Sequence, residues 1–206
     1  MRRRHARSQV RSLLASACGL LLPGAAGAHL PTIGLGPVYD GVFHLLLSPE
    51  DLIPVIALAL LCGQRGAPFG RRALWLVPLA WFAGGLMGLF AGNSHGAALT
   101  CVSFLLLGGL VAANARVSLP VLSVLAALLG SFHGYLNGAG INRFDDGTYA
   151  LLGLSLAVFV VVALCASLVI PLRQQWTRIA VRVAGSWIAA SGLLMLGWAL
   201  HAARSL

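Results

Sequence analysis

Long apolar segments follow one another along this chain, with only short polar gaps between them. Five of these segments are long enough to cross the roughly 30 Å hydrocarbon core of a bilayer as helices. They cover about residues 72–91, 95–115, 118–136, 148–170 and 180–202. A sixth, from about 38 to 63, is interrupted by Ser48-Pro49-Glu50-Asp51. Short gaps make consecutive helices antiparallel neighbours. The sequence therefore predicts an all-α, polytopic membrane protein with a bundle of about six transmembrane helices, the first interrupted near Ser48-Pro49.

The distribution of charge argues against a nucleic-acid partner, although the formal net charge is +9. Only 9% of residues are charged and 59% are hydrophobic, which is typical of a protein whose main partner is the lipid bilayer. All fourteen basic residues are arginines; five lie at the extreme N-terminus, and the others lie almost entirely between apolar segments. Membrane topology explains that placement without nucleic acid.

The first 28 residues have the pattern of a secretory signal peptide. A basic stretch from Arg2 to Arg11 precedes the short apolar core SLLASACGLLLPG, and small residues at 26–28 suit cleavage after Ala28. The alternative is an uncleaved first membrane helix, although the apolar core is short for a span. The sequence predicts a signal peptide at 1–28 and a single transmembrane domain at 29–206.

Removal of a signal peptide would leave the new N-terminus outside, which fixes the direction of every later span. The segments between spans that would then lie inside carry seven arginines, and those outside carry two. This excess obeys the positive-inside rule. We therefore expect a multi-pass inner-membrane protein with both mature termini on the periplasmic side. The inner arginines are Arg65, Arg71, Arg72, Arg116, Arg173, Arg178 and Arg182.

The segment from 36 to 52 holds three of only five acidic residues in the chain. Asp40 and His44 are four apart and share a face if the segment is helical. Ser48 is a suitable N-cap and Pro49 a suitable first helical residue, with Glu50 and Asp51 in the first turn. The two acids either complement the helix dipole or belong to an outer ion vestibule.

A second candidate stretch is LLGSFHGYLNGAG, residues 128–140. His133 lies beside the row Gly130, Gly134 and Gly138, which allows another helix to approach closely. Gly84, Gly88 and Gly92 form a similar row, which we interpret as helix packing. His133 is either a site residue or a buried histidine bonded to a backbone carbonyl.

These two motifs resemble those of the HupE/UreJ family of small membrane proteins, whose members have a signal peptide and six following helices. The family's first motif consists of a His, five further residues and then Asp-His. Here His44 and Glu50-Asp51 stand at the corresponding positions. The family's Phe-His-Gly motif is matched by Phe132-His133-Gly134, with Asn137 where a second His is common. The resemblance implies permeation of nickel or a related divalent ion, linked to hydrogenase and urease maturation. The extra carboxylate favours harder ions such as manganese.

We therefore predict a divalent-metal permease or uptake facilitator with an outward-facing site and no tightly bound cofactor. Nickel is the first candidate substrate, and metalloenzyme-maturation proteins are candidate partners. The alternative is a membrane-embedded metal-binding or assembly accessory protein that does not transport. An enzyme is not predicted, because no nucleophile motif, phosphate-binding loop or H-E-x-x-H pair is present. The candidate metal-binding residues are His44, His133, Asp40, Asp51 and Glu50.

Overall fold

The computed structural model describes residues 34–92, 97–141 and 146–204, and the predicted signal peptide lies outside these ranges. Within them every regular element is an α-helix, as predicted. The seven helices are α1 Pro37–Leu47, α2 Pro49–Arg65, α3 Ala67–Ala91, α4 Ala97–Ala112, α5 Leu119–Gly140, α6 Gly147–Val169 and α7 Gln175–Arg204.

Four of these helices, α3, α5, α6 and α7, are individually long and apolar enough to cross a membrane. Helices α1 and α2, with 11 and 17 residues, are each too short and meet the same requirement only when taken together. The chain bends by 75° between them. The described part of α4 is apolar but shorter than a span. The described residues thus contain four candidate spans, or five if the bent pair is one, where six were predicted. The predicted break in the first segment near Ser48-Pro49 is confirmed.

The bend falls at Ser48, where the sequence contains both a helix stop and a helix start. Pro49 has no backbone N–H to continue α1, but its fixed φ suits the first position of α2. The Ser48 carbonyl accepts hydrogen bonds from the backbone N–H groups of Asp51 (3.0 Å) and Leu52 (2.9 Å). The predicted N-cap position is correct, but the Ser48 side chain makes no capping hydrogen bond.

Helix α2 lies at the centre of the bundle and contacts each of the other six described helices. A helix end at membrane depth is tolerated when protein surrounds it, and this arrangement provides that enclosure. Six side chains of α2 are completely buried, and none of them is charged. They are Val55, Ala57, Leu58, Ala59, Leu61 and Cys62.

Helices α3 and α5 pack with their backbones nearly in contact, as the two glycine rows predict. A β-carbon on Gly134 would overlap the carbonyl group of Trp81, and one on Gly88 would overlap that of Tyr135. The prediction is wrong for Gly92, which has open space around it. This residue ends α3 in the left-handed conformation (φ 68°), which glycine adopts without a steric penalty.

The two ends of α2 differ in charge. Asp51 lies in its first turn and Arg65 is its last residue. Fourteen residues separate them, which corresponds to about 21 Å along a helix. We call the end of the bundle at Asp51 the acidic end and the end at Arg65 the arginine end.

Candidate functional site

Asp51 and His133 meet at the acidic end, brought there by α2 and α5. The Nδ1 atom of His133 lies 2.8 Å from Oδ1 of Asp51. His133 is 0% exposed and Asp51 is 6% exposed, so water screens the contact little. Its geometry is that of an ion pair when the imidazole is protonated. The Nδ1–H group donates to the carboxylate, which fixes the orientation of the ring.

Asn137, one helical turn after His133, completes the contacts of the Asp51 carboxylate. Its Nδ2 group donates to Oδ2 of Asp51 at 2.9 Å and to the backbone carbonyl of His133 at 2.8 Å. Both Asp51 oxygens are thereby satisfied. The Asn137 Oδ1 atom, in contrast, is buried without a hydrogen-bond partner among the described residues. An unsatisfied buried acceptor is costly and suits a cation or a water molecule.

The second ring nitrogen of His133 faces a hydroxyl group on α4. Its Nε2 atom is 3.2 Å from Oγ of Ser103, and the same hydroxyl is 2.7 Å from the carbonyl of Thr100. The Ser103 hydroxyl thus lies between the imidazole on α5 and a carbonyl of its own helix, and it joins α4 to the Asp51–His133 contact.

Aromatic rings enclose the imidazole. The indole of Trp81, which is fully buried on α3, stacks on His133 with a centroid distance of 5.6 Å and an interplanar angle of 29°. Phe132 lies edge-on at 5.3 Å. Both rings pack against the imidazole and help to exclude water from it, in agreement with its complete burial.

The other three predicted residues lie along α1 and at the start of α2. Asp40 is 8% exposed and His44 is 9% exposed, one turn apart on the buried face of α1, and Asp40 has an interaction partner. Glu50 is exposed, unlike its neighbour Asp51. Within the described ranges, no three His, Cys, Asp or Glu side chains are close enough to hold a metal ion. The structure thus joins Asp51 to His133 and does not gather the five predicted residues into one cluster.

Sequence reasoning did not select Ser103 or Trp81, and it mentioned Asn137 only for its place in a motif. Ser103 is one hydroxyl within an apolar segment, and Trp81 reads as an ordinary membrane aromatic. Asn137 carried a usable signal, because it is four residues after His133 and shares its helix face.

Comparison with known proteins identifies a family whose model covers both motifs. The family model described as "HupE / UreJ protein" matches residues 17–195 of the chain, a range that includes both motifs. The chain is also similar to "Protein HupE" from Rhizobium leguminosarum bv. viciae, with 27% identity over 187 residues. That alignment covers 86% of this chain and 93% of the relative. No solved structure matches significantly.

Proposed function

Because this chain belongs to the HupE/UreJ family of multi-pass membrane proteins, we propose that it carries a divalent metal ion, nickel foremost, across the membrane. The observation that carries the proposal is the buried contact between Asp51 and His133 at the acidic end. Ionisable side chains inside a membrane bundle are costly to bury and are typically functional.

The chemistry of this cluster suits a transported cation. Metal ions such as nickel and zinc bind imidazole nitrogen, and harder divalent ions bind carboxylate and carbonyl oxygen. His133 supplies an imidazole nitrogen and Asp51 a carboxylate. The unpartnered Oδ1 of Asn137 supplies a carbonyl oxygen. The Asp51 carboxylate also orients the imidazole ring, as carboxylates behind metal-binding histidines do.

A low number of ligands also agrees with transport. A permeation site must bind its ion strongly enough to admit it and weakly enough to release it. Two charged or imidazole side chains with an amide and a hydroxyl nearby make a weaker site than a cage of three or four such ligands. We therefore interpret the cluster as a point of passage for the ion.

We assign Asp40 and His44 of α1 to the entrance of the pathway, with Glu50 at its exposed rim. Both α1 residues are buried beside the broken span, and interrupted helices supply ion sites in many transporters. We propose that this acidic end faces outward. The excess of arginines in the segments assigned to the inside supports that orientation.

One observation favours the alternative, an accessory protein that binds a metal or assists assembly without transport. Between the first turn of α2 and Gln64, the side chains of the central helix are apolar except for the thiol of Cys62. A passing cation would find few donors along this stretch. A one-sided site would suit a protein that delivers metal to a maturation partner.

Accumulation of radioactive nickel in cells that lack their own importers tests the proposal. Wild type is compared with His133→Ala and, as a matched control, with His201→Ala, whose histidine is exposed near the end of α7. Cobalt, zinc and manganese serve as competitors. We expect uptake by wild type and by the control but not by His133→Ala at equal membrane levels. Absence of uptake by well-expressed wild type would favour the accessory function.

A further inference from the structure

A cavity of about 560 Å³ lies at the arginine end of the bundle, at the opposite end of α2 from Asp51. Its wall is formed by the ends of α2 and α6, the residues after α4, and the segment that leads into the start of α7. The volume falls in the range of sites that bind small molecules. The polar side chains that line it include Arg65, Arg173, Arg178, Arg182, Gln64 and Asn114.

The positive charge of this cavity is not balanced by carboxylates of the chain. None of the acids in the described ranges lines it, and Asp51 contacts His133 at the other end of α2. Arg65 also lies close enough to Arg116 and Arg178 to experience their like charges. An anion inside the cavity would relieve this repulsion.

Two of the arginines are held in position by the end of α4. The Nη2 group of Arg65 donates to Oδ1 of Asn114, and Nε of Arg182 donates to the carbonyl of Ala112 at 2.9 Å. The Nε–H group of Arg65 is buried and has no acceptor among the described residues. A buried donor without a partner is costly, which points to an acceptor that comes from a ligand.

Helix α7 adds a second source of positive potential. It has 30 residues and begins at Gln175, which itself lines the cavity. The unpaired N–H groups and the dipole at a helix start both attract anions. Arg173 precedes this start and Arg178 follows in the first turn, so two arginines that line the cavity lie next to the helix start.

The positive-inside rule alone does not account for this convergence. It requires arginines at one end of the bundle, not around one cavity. Of the seven arginines assigned to the inside, Arg71, Arg72 and Arg116 do not line the cavity. These three fulfil a topological role without a binding site, and the other four surround a shared volume.

We propose that this cavity binds a phosphate group, as a phosphomonoester or phosphodiester. Guanidinium groups bind phosphate oxygens in pairs through their planar donors, which makes arginine suited to this anion. Two sources share that chemistry: the head group of an anionic phospholipid, which basic pockets between membrane helices bind, and a soluble phosphate compound. The site is separate from the Asp51–His133 cluster and does not depend on metal transport.

The test compares purified wild-type protein with the double variant Arg173→Gln/Arg178→Gln. The matched control is Arg71→Gln/Arg72→Gln, which removes the same charge from the arginine end outside the cavity. The soluble arm uses inorganic phosphate and pyrophosphate with the protein in detergent. The lipid arm uses nanodiscs of phosphatidylcholine with and without phosphatidylglycerol. Both arms record the thermal unfolding midpoint, and native mass spectrometry counts the retained ligand.

We expect wild type and the control to bind one of the two probe types with equal affinity, and the cavity variant to bind at least about tenfold more weakly. Binding of phosphatidylglycerol alone identifies a lipid site, and binding of soluble phosphate alone identifies a soluble ligand. The proposal is overturned if neither probe binds to wild type, or if both double variants lose binding equally. Should the Gln variant fail to fold, Arg173→Lys/Arg178→Lys keeps the charge and is still expected to bind more weakly, because lysine lacks the paired donors.

Discussion

The imidazole of His133 and the carboxylate of Asp51 lie 2.8 Å apart, although 82 residues separate them in the chain. The contact depends on the break at Ser48, since Asp51 would lie midway along a continuous first helix and not in the first turn of a separate one. The 75° bend instead puts Asp51 in the first turn of the central helix, where it reaches α5. The interruption of the first span is thus the feature that positions the buried carboxylate.

Neutralising Asp51 is expected to impair transport far more than neutralising its neighbour Glu50. Asp51→Asn removes the charge that orients His133, and loss of such a carboxylate costs about 10- to 100-fold in metal affinity or activity. Glu50→Gln is the matched control, because this side chain is exposed. Nickel uptake at equal membrane levels measures both. An equal loss in the two variants would contradict the assigned site and favour an acidic surface that only concentrates cations.

His44→Ala and His133→Ala are expected to abolish the same uptake activity and to leave membrane insertion intact. Both histidines are buried, but they lie on different helices, and only His133 contacts Asp51. A pathway that passes both positions needs each of them. The measurement is uptake with a competitor series, beside His201→Ala as control. If one variant retains uptake, the two histidines do not act on one pathway.

Ser103→Ala is expected to weaken the apparent affinity for the ion by a few-fold, because loss of one neutral hydrogen bond costs about 1 kcal/mol. The change removes the hydroxyl group next to Nε2 of His133. Ser167→Ala is a close control, since Ser167 makes the same local hydrogen bond to a carbonyl three residues earlier. Uptake is measured as a function of nickel concentration. A similar loss of affinity in both variants would mean that the local helix bond, not the contact with His133, matters.

Hydropathy and cap chemistry were enough to predict an all-α fold and the break between α1 and α2, although the described part of α4 is shorter than the predicted span. They were not enough to distinguish Glu50 from Asp51, because adjacent residues in a first turn point in different directions and the bend sets which one is buried. The prediction that the glycine row on α3 packs against another helix was correct for Gly84 and Gly88 but not for Gly92. Spacing places all three on one face, and only the end of α3 shows that Gly92 is a cap.

Pairings across the bundle were the least predictable part of the structure. The contact of α5 with α2 joins residues far apart in sequence, and no local pattern carries that information. The contact of Ser103, on the third helix α4, with His133 was not predictable for the same reason. The polar residues of the sequence therefore identified the candidates, and the packing of the apolar ones determined which candidates meet.

Gly134→Ala is expected to destabilise the protein, because the new β-carbon would overlap the carbonyl group of Trp81. Overpacking of a close contact costs about 1–3 kcal/mol. Gly109→Ala is the control: Gly109 is also helical but has open space around it, and alanine improves helix propensity by about 1 kcal/mol. The thermal unfolding midpoint in detergent should fall for Gly134→Ala and stay level or rise for Gly109→Ala. A fall of equal size in both would contradict the close packing of α3 on α5.

The orientation of the chain gives the last prediction. Seven arginines in the segments assigned to the inside, against two outside, predict a C-terminus on the periplasmic side. Alkaline phosphatase fused after Leu206 should therefore be active, and a fluorescent protein fused there should be dark. Because a cleaved signal peptide is what leaves the first segment outside, N-terminal sequencing of the mature protein should begin at His29.

Charge reversal near the start of α3 tests whether the positive-inside bias sets this orientation. Arg71→Glu/Arg72→Glu removes two of the seven inner arginines, and it should reduce phosphatase activity of the C-terminal fusion if the positive-inside bias sets the orientation. Arg204→Glu, which changes one of the two outer arginines, should leave that activity unchanged. An active cytoplasmic reporter on the unaltered chain would reverse the assignment. The Asp51–His133 cluster would then face the cytoplasm, and a site that captures metal from outside would have to be sought at the arginine end.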